Sequence, residues 1–149
     1  MGRWDHLYDA KSRPIGDYLL DELAKDFERD IREWPPAVDG WEDMAELARY
    51  GPLLASGKRP SDLAVRTALW LARADLLREF EAVDAFMRGG GLDEKLGSAE
   101  DRELCRFLWR FFVDKCLAFA EASQSRFKHR DLAEALVRLE QRLFKVTLA

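Results

Sequence analysis

Apolar residues recur every three or four positions along most of this chain, the spacing that aligns them on one face of an α-helix. Five segments show this pattern, at about 14–34, 41–50, 62–88, 99–122 and 130–146. No segment alternates apolar and polar residues with the β-branched enrichment of a strand. We therefore predict an all-α fold, a single-domain bundle of about five helices with antiparallel packing that spans residues 1–149, with residues 1–11 as a mobile or loosely docked N-terminus.

The two longest segments, roughly 62–88 and 99–122, are predicted to be the central helices. Ser61 and Ser98 precede them as N-caps, and the glycine run 89–91 is expected to end the earlier one. The later one carries large apolar residues over more than half of its circumference, so we expect other helices on most of its sides. The earlier one has a regular stripe, which consists of Val65, Leu69, Ala72, Leu76, Phe80, Val83 and Met87.

The length of 149 residues allows one hydrophobic core that needs no disulfide or metal to hold it. No apolar run approaches the roughly 18 residues that cross a bilayer, and no secretory signal is recognisable. We therefore expect a cytoplasmic protein with no membrane partner. Cys105 and Cys116 lie about 16 Å apart along one predicted helix, so they cannot pair with each other and are expected to be reduced core residues.

Charge is distributed unevenly along the chain. The net charge is −4, but residues 1–50 hold 7 basic against 13 acidic residues, whereas residues 101–149 hold 10 basic against 7 acidic residues. The simpler interpretation is that an acidic first helix lies beside a basic last helix. The alternative is that the basic part binds an external polyanion.

The residues that usually carry chemistry do not form a motif. The two histidines, His6 and His129, have no metal ligand at a suitable spacing. Gly51 to Lys58 resembles a phosphate-binding loop only superficially, because the glycine spacing is wrong and Arg59 stands where Ser or Thr is required. No acid pair falls in an evident apolar pocket. The sequence therefore predicts no catalytic, metal or cofactor residue, and a protein that is not an enzyme.

A second apolar face is predicted on the helix at 62–88. Leu63, Trp70 and Leu77 recur every seven residues, roughly opposite its main stripe. One interpretation is that the first or the last helix of the chain covers this face. The other is an interface with a protein partner or a second copy, anchored by Trp70, because tryptophan is enriched among binding hot spots.

Rows of arginine and lysine follow the polar sides of the last two predicted helices and the turn between them. Such rows can track the phosphates of RNA or DNA, although Asp114, Glu121 and Glu134 interrupt them. The other interpretation is that carboxylates of the same chain neutralise them. The candidate contacts are Arg102, Arg106, Arg110, Arg126, Lys128, Arg130, Arg138, Arg142 and Lys145.

Lys115 falls in the apolar sector of its predicted helix, near Leu108 and Phe111. A buried ammonium without a partner would be costly, so we expect its charge to reach water or an acid of the first helix. The alternative is a lysine that lines a small internal pocket, as in a small-molecule sensor.

The leading hypothesis is a non-catalytic helical protein–protein interaction module, either a homodimer or a subunit of a larger assembly. It would use the Leu63, Trp70 and Leu77 face, with Trp4 and Trp41 as further candidate exposed aromatics. The alternative hypothesis is a small nucleic-acid-associated subunit that binds phosphates through the arginine rows.

Overall fold

Seven helices account for most of the chain that the computed structural model describes, namely residues 15–36, 49–124 and 126–144. No strand is found within these ranges, which confirms the predicted all-α fold. Residues 1–11, most of the predicted helix at 41–50, Trp4, Trp41 and Lys145 lie outside the described residues. The helices are α1 (Ile15–Arg32), α2 (Gly51–Ala55), α3 (Asp62–Leu76), α4 (Phe80–Arg88), α5 (Gly91–Lys95), α6 (Ala99–Ala122) and α7 (His129–Phe144).

The main helices pack around one hydrophobic core with α6 at its centre. Phe107 and Phe112 of α6 are fully buried, and Phe112 meets Phe27 of α1 edge to face with ring centroids 5.3 Å apart. Cys105 and Cys116 are buried free thiols, as predicted. Burial raises the pKa of Cys105 to about 12, so this thiol stays protonated and unreactive at neutral pH.

Ser61 and Ser98 cap α3 and α6 as predicted, and the two caps lie side by side. The hydroxyl of Ser61 accepts from the amide of Ala64 at 3.0 Å, and that of Ser98 accepts from the amide of Asp101 at 2.9 Å. Ser61 also donates its own amide to the carboxylate of Asp101 at 2.9 Å. The two longest predicted helices therefore begin at the same end of the molecule.

These two helices consequently run in the same direction, although antiparallel packing was predicted. Asp75, near the end of α3, accepts a hydrogen bond from the indole of Trp109 at 2.7 Å, well along α6. The intervening α4 and α5 carry the chain back to the starting end. The prediction does hold for α3 with α7, since Arg66 contacts Phe144 and Arg73 pairs with Glu140, in opposite order along the two helices.

The prediction of a single helix over 62–88 is wrong, because the chain turns at residues 77–79 between α3 and α4. Arg78 has φ of 61°, in the left-handed region. Its amide bonds the carbonyl of Asp75 at 3.0 Å and that of Glu79 bonds Ala74 at 2.8 Å, which is the Schellman arrangement that ends helices. Because the chain turns here, Phe80 is exposed and not part of the buried stripe.

No helix among the described residues is both long and apolar enough to cross a membrane.

Candidate interaction surface on α3

The outer face of α3 carries three large apolar side chains that contact solvent. Leu63 is 46% exposed, Trp70 39% and Leu77 43%. They follow one another at intervals of seven residues and form a line along the helix and its end. No helix of the described chain buries them, so the interpretation in which the first or last helix covers this face is wrong.

Trp70 lines a groove beside α3, to which α4, α5 and α7 each contribute one residue. Its ring packs against that of Phe86, with ring centroids 5.3 Å apart. Leu63 and these two rings form the apolar part of the groove, which has a volume of about 350 Å³ and opens to solvent. We call it the α3 groove, and its other lining residues are Arg66, Thr67, Arg73, Lys95 and Glu140.

Gly91, the first residue of α5, makes room for the ring of Phe86. A Cβ atom at position 91 would lie only 2.4 Å from Cε2 of Phe86. The preceding Gly90 has φ of 73°, which glycine adopts without steric cost. The glycine run therefore ends α4, as predicted, and also lets Phe86 stand beside Trp70.

Three cations line the α3 groove, and only one of them has a carboxylate partner among the described residues. Arg73 pairs with Glu140 at 3.5 Å. The guanidinium of Arg66 lies over the ring of Phe144, 4.2 Å from its centroid, and neither Arg66 nor Lys95 forms an ion pair with a described residue. The groove therefore combines an apolar floor with positive charge that the described fold does not neutralise.

The far end of the same face borders a second basic depression. Leu77 and Arg78 line it together with Lys128, His129, Arg130 and Asp131 at the start of α7, and its volume is about 660 Å³. The guanidinium of Arg78 lies 5.2 Å from the ring centroid of the exposed Phe80. Two of the predicted nucleic-acid contacts, Lys128 and Arg130, thus lie together beside Arg78.

The predicted arginine row on α6 is engaged within the fold. Arg102 pairs with Asp93 at 3.3 Å and donates to the carbonyl of Leu96 at 2.8 Å. The next two arginines pair along their own helix, Arg106 with Glu103 at 2.7 Å and Arg110 with Asp114 at 3.4 Å. The interpretation in which carboxylates of the chain neutralise this row is therefore supported.

The row on α7 meets the acidic face of α1. Arg138 pairs with Asp21 at 2.7 Å and Arg142 with Glu28 at 2.7 Å, so the acidic first helix does lie beside the basic last one. Burial acts to raise the pKa of Glu28, but hydrogen bonds from Arg32 and Arg142 outweigh it and hold this pKa below its ordinary value of 4.5. Arg126 is an exposed residue of the turn before α7.

Lys115 fixes α6 to α1. Its ammonium lies 2.5 Å from the carboxylate of Asp30, which is only 6% exposed, and near the rings of Phe27 and Phe111. The prediction that its charge reaches an acid of the first helix is confirmed. The alternative, in which Lys115 lines an internal pocket, loses its support because the ammonium is already paired with Asp30.

Sequence reasoning found the line of Leu63, Trp70 and Leu77 but missed Phe86, Arg66 and Lys95. Phe86 comes to Trp70 only because the chain turns at Arg78, which apolar periodicity does not reveal. The charge of Arg66 and Lys95 is visible in the sequence, but their lack of ion pairs depends on the packing. The seven-residue spacing was therefore the only sequence signal for the α3 groove.

Comparison with protein families, with curated proteins and with solved structures found no match to this chain. Within the described residues, no three His, Cys, Asp or Glu side chains are placed to hold a metal ion.

Proposed function

We propose that this chain is a non-catalytic protein–protein interaction module, a subunit of a larger assembly or a homodimer, that binds its partner through the α3 groove. The observation that carries the proposal is the exposure of Leu63, Trp70 and Leu77 in one line beside Phe86. Covering a large apolar side chain contributes roughly 1.5–3 kcal/mol when its burial is complete. Each of the three residues is already more than half covered, so a partner that covers this line gains less than half of such a contribution from each.

The exposed apolar side chains are clustered and not scattered, which supports a binding surface. Four of the six large ones among the described residues fall between positions 63 and 80. Trp70 stands between Leu63 and Leu77, about 10 Å from each along the helix. A central tryptophan flanked by smaller apolar residues is typical of an interface hot spot. The six are Tyr18, Leu63, Trp70, Leu77, Phe80 and Leu117.

We also propose a cytoplasmic location for this module. The two cysteines are both free and buried, which suits a reducing compartment.

Affinity capture with three tagged forms of the chain tests the proposal. Wild type, Trp70→Ala and Leu117→Ala are used to capture proteins from an extract of the cells that make the protein, with and without nuclease, and bound proteins are quantified by mass spectrometry. Leu117 is the matched control, because it is equally exposed but lies on α6 outside the groove.

We expect a defined set of proteins that nuclease does not remove, that Leu117→Ala retains and that Trp70→Ala loses. If the purified chain is instead a homodimer, light scattering will give twice the mass for wild type and the monomer mass for Trp70→Ala. A captured set and a solution mass that are both indifferent to Trp70→Ala would contradict the proposal.

A second candidate is the nucleic-acid-associated subunit, which the basic depression beside Arg78, Lys128 and Arg130 favours. Its weakness is that five of the predicted arginine contacts already have carboxylate partners. The test is the affinity of the chain for duplex RNA over a range of salt concentrations. Lys128→Glu with Arg130→Glu should lower both the affinity and its salt dependence, whereas Lys25→Glu with Arg29→Glu on α1 should not.

A further inference from the structure

We propose that the α3 groove receives an acidic amphipathic helix of another protein. This inference rests on the proposed function and names the chemistry of the partner. It follows from the length of the exposed apolar line, from the charge beside it, and from the way the chain binds its own first helix.

The exposed line has the length and spacing of a helix-binding surface. Leu63 and Leu77 are fourteen residues apart, so the line is about 21 Å long, which is about four turns of a partner helix. It begins at Leu63 in the α3 groove and continues past the groove to Leu77, at the edge of the second depression. Trp70 and Phe86 stand at its middle and form an apolar floor. A partner helix with apolar residues at intervals of three and four would place one stripe along this floor.

The charge beside the floor selects an acidic partner. Arg66 and Lys95 form no ion pair with a described residue, whereas five arginines of α6 and α7 each meet a carboxylate, namely Arg102, Arg106, Arg110, Arg138 and Arg142. Carboxylates on a partner helix would supply the ion pairs that Arg66 and Lys95 lack. No internal pair has to be broken for Arg66 or Lys95 to form these ion pairs.

The chain already binds one acidic amphipathic helix in this manner, namely its own α1. The apolar residues of α1 are buried in the core, while Asp21, Glu28 and Asp30 pair with cations of α6 and α7. An apolar stripe flanked by carboxylates thus meets an apolar surface flanked by cations. The α3 groove offers a second surface of that kind, without a helix of the described chain in it.

A second copy of the chain is a poorer occupant of the groove. In a two-fold dimer the same patch faces itself, so two surfaces with the same excess of positive charge, from Arg66, Arg73 and Lys95 against Glu140, would face each other. A nucleic acid would satisfy the cations but would leave Leu63 and Leu77 without an apolar partner. Either occupant, if found in the groove, would overturn the acidic helix.

The test uses a displayed library of eighteen-residue helical peptides with all outward positions randomised. Peptides are selected on the full chain and counter-selected on Trp70→Glu and, separately, on Leu63→Glu. Both positions are exposed, and circular dichroism melts of the two variants confirm that each is folded before use. Binding of recovered peptides is then measured by fluorescence anisotropy against wild type and two charge-reversed double variants.

We expect recovered peptides that carry an apolar stripe of helical period and a net negative charge. Arg66→Glu with Lys95→Glu should weaken their binding about tenfold or more, and added salt should weaken it further. The control, Lys25→Glu with Arg29→Glu, reverses two exposed cations of α1 outside the groove and should change the affinity less than about twofold.

The other outcomes separate this inference from the proposed function. Peptides that depend on Trp70 but are neutral or basic overturn the acidic helix and leave the interaction module standing. A Trp70-dependent dimer of the purified chain does the same in favour of a second copy. If no peptide depends on Trp70 or Leu63, or if duplex RNA binds in a Trp70-dependent way instead, both the inference and the proposed function are wrong.

Discussion

The inner side of α1 and the outer face of α3 are built alike, but the first is covered by the rest of the fold and the second is exposed to solvent. Each joins a line of apolar residues to flanking charges. On α1, the apolar line is buried and Glu28 and Asp30 are paired with Arg142 and Lys115. On α3, Trp70 is exposed, and the guanidinium of Arg66 lies over the ring of Phe144 without a carboxylate partner in the described part of the chain.

The difference shows why a row of arginines in a sequence is a weak indicator of binding. Arg138 already holds Asp21, so contact with an external phosphate would first have to break this pair. Arg66 has no carboxylate partner among the described residues, so it can bind a carboxylate of another protein without breaking an ion pair of its own. The surface with fewer arginines is therefore the better candidate for an interaction.

Removal of a ring on each side should separate the two surfaces most strongly. Phe27→Ala should lower the free energy of unfolding by about 3–5 kcal/mol, because Phe27 is fully buried against Phe112. Trp70→Ala should cost less, about 1–2 kcal/mol, because Trp70 is 39% exposed and packs on Phe86 outside the core. Urea denaturation monitored by circular dichroism measures both. Equal losses would make Trp70 an ordinary core residue.

Removal of the acid that α1 presents to Lys115 should give the next largest effect. Asp30→Ala should lower the free energy of unfolding by about 1–3 kcal/mol, because the buried end of an ion pair is lost while Lys115 can still reach water. Asp26→Ala is the matched control, since Asp26 pairs with Arg29 at the exposed surface of the same helix. Its loss should be about half a kcal/mol or less. If the two variants lose equally in urea melts, the Asp30 pair does not fix α1.

The turn that bends the outer face should become more stable when its left-handed residue is replaced. Arg78→Gly should raise the free energy of unfolding by about 1 kcal/mol, because glycine lacks the Cβ that strains this conformation. Arg78→Ala keeps a Cβ and serves as the control. Thermal unfolding of both variants checks the prediction, and a gain of the same size in Arg78→Ala would show that the arginine side chain, and not the backbone, is the cause.

That turn also marks the limit of what the sequence could predict. The three-and-four spacing located α1, α3, α6 and α7 and most of the core, because burial of one face imposes that spacing on a helix. The spacing continues from Leu76 to Val83 with no Gly or Pro between them, so the sequence contains no signal for the break between α3 and α4. The left-handed position that ends α3 is usually a glycine, but here it is Arg78. The course of α4 and the contact of Phe86 with Trp70 were therefore not predictable.

Charge was predictable only in part, for a similar reason. The acidic first helix and the basic last one were visible in the composition of the two ends of the chain, and Asp21 with Arg138 confirms their attraction. The parallel course of α3 and α6 was not visible, because it depends on short helices that bring the chain back. Which cations lack a carboxylate is decided by that course, so Arg66 and Lys95 could not be singled out from the sequence.

The smallest predicted effect concerns the pH dependence of the α1 surface. The pKa of Glu28 is lowered in the folded state, so its pairs with Arg32 and Arg142 contribute fully above its ordinary value of 4.5. This contribution is lost as the pH falls through the lowered pKa, because the carboxylate then takes up a proton. Glu28→Gln should therefore destabilise the chain near pH 7 and have a shrinking effect as the pH falls below 4.5. Urea melts of both forms at a series of pH values measure the difference, and Arg66→Gln serves as the reference, since the described fold holds no carboxylate against that arginine. A constant difference between Glu28→Gln and wild type across the series would mean that the carboxylate charge is not what joins α1 to α7.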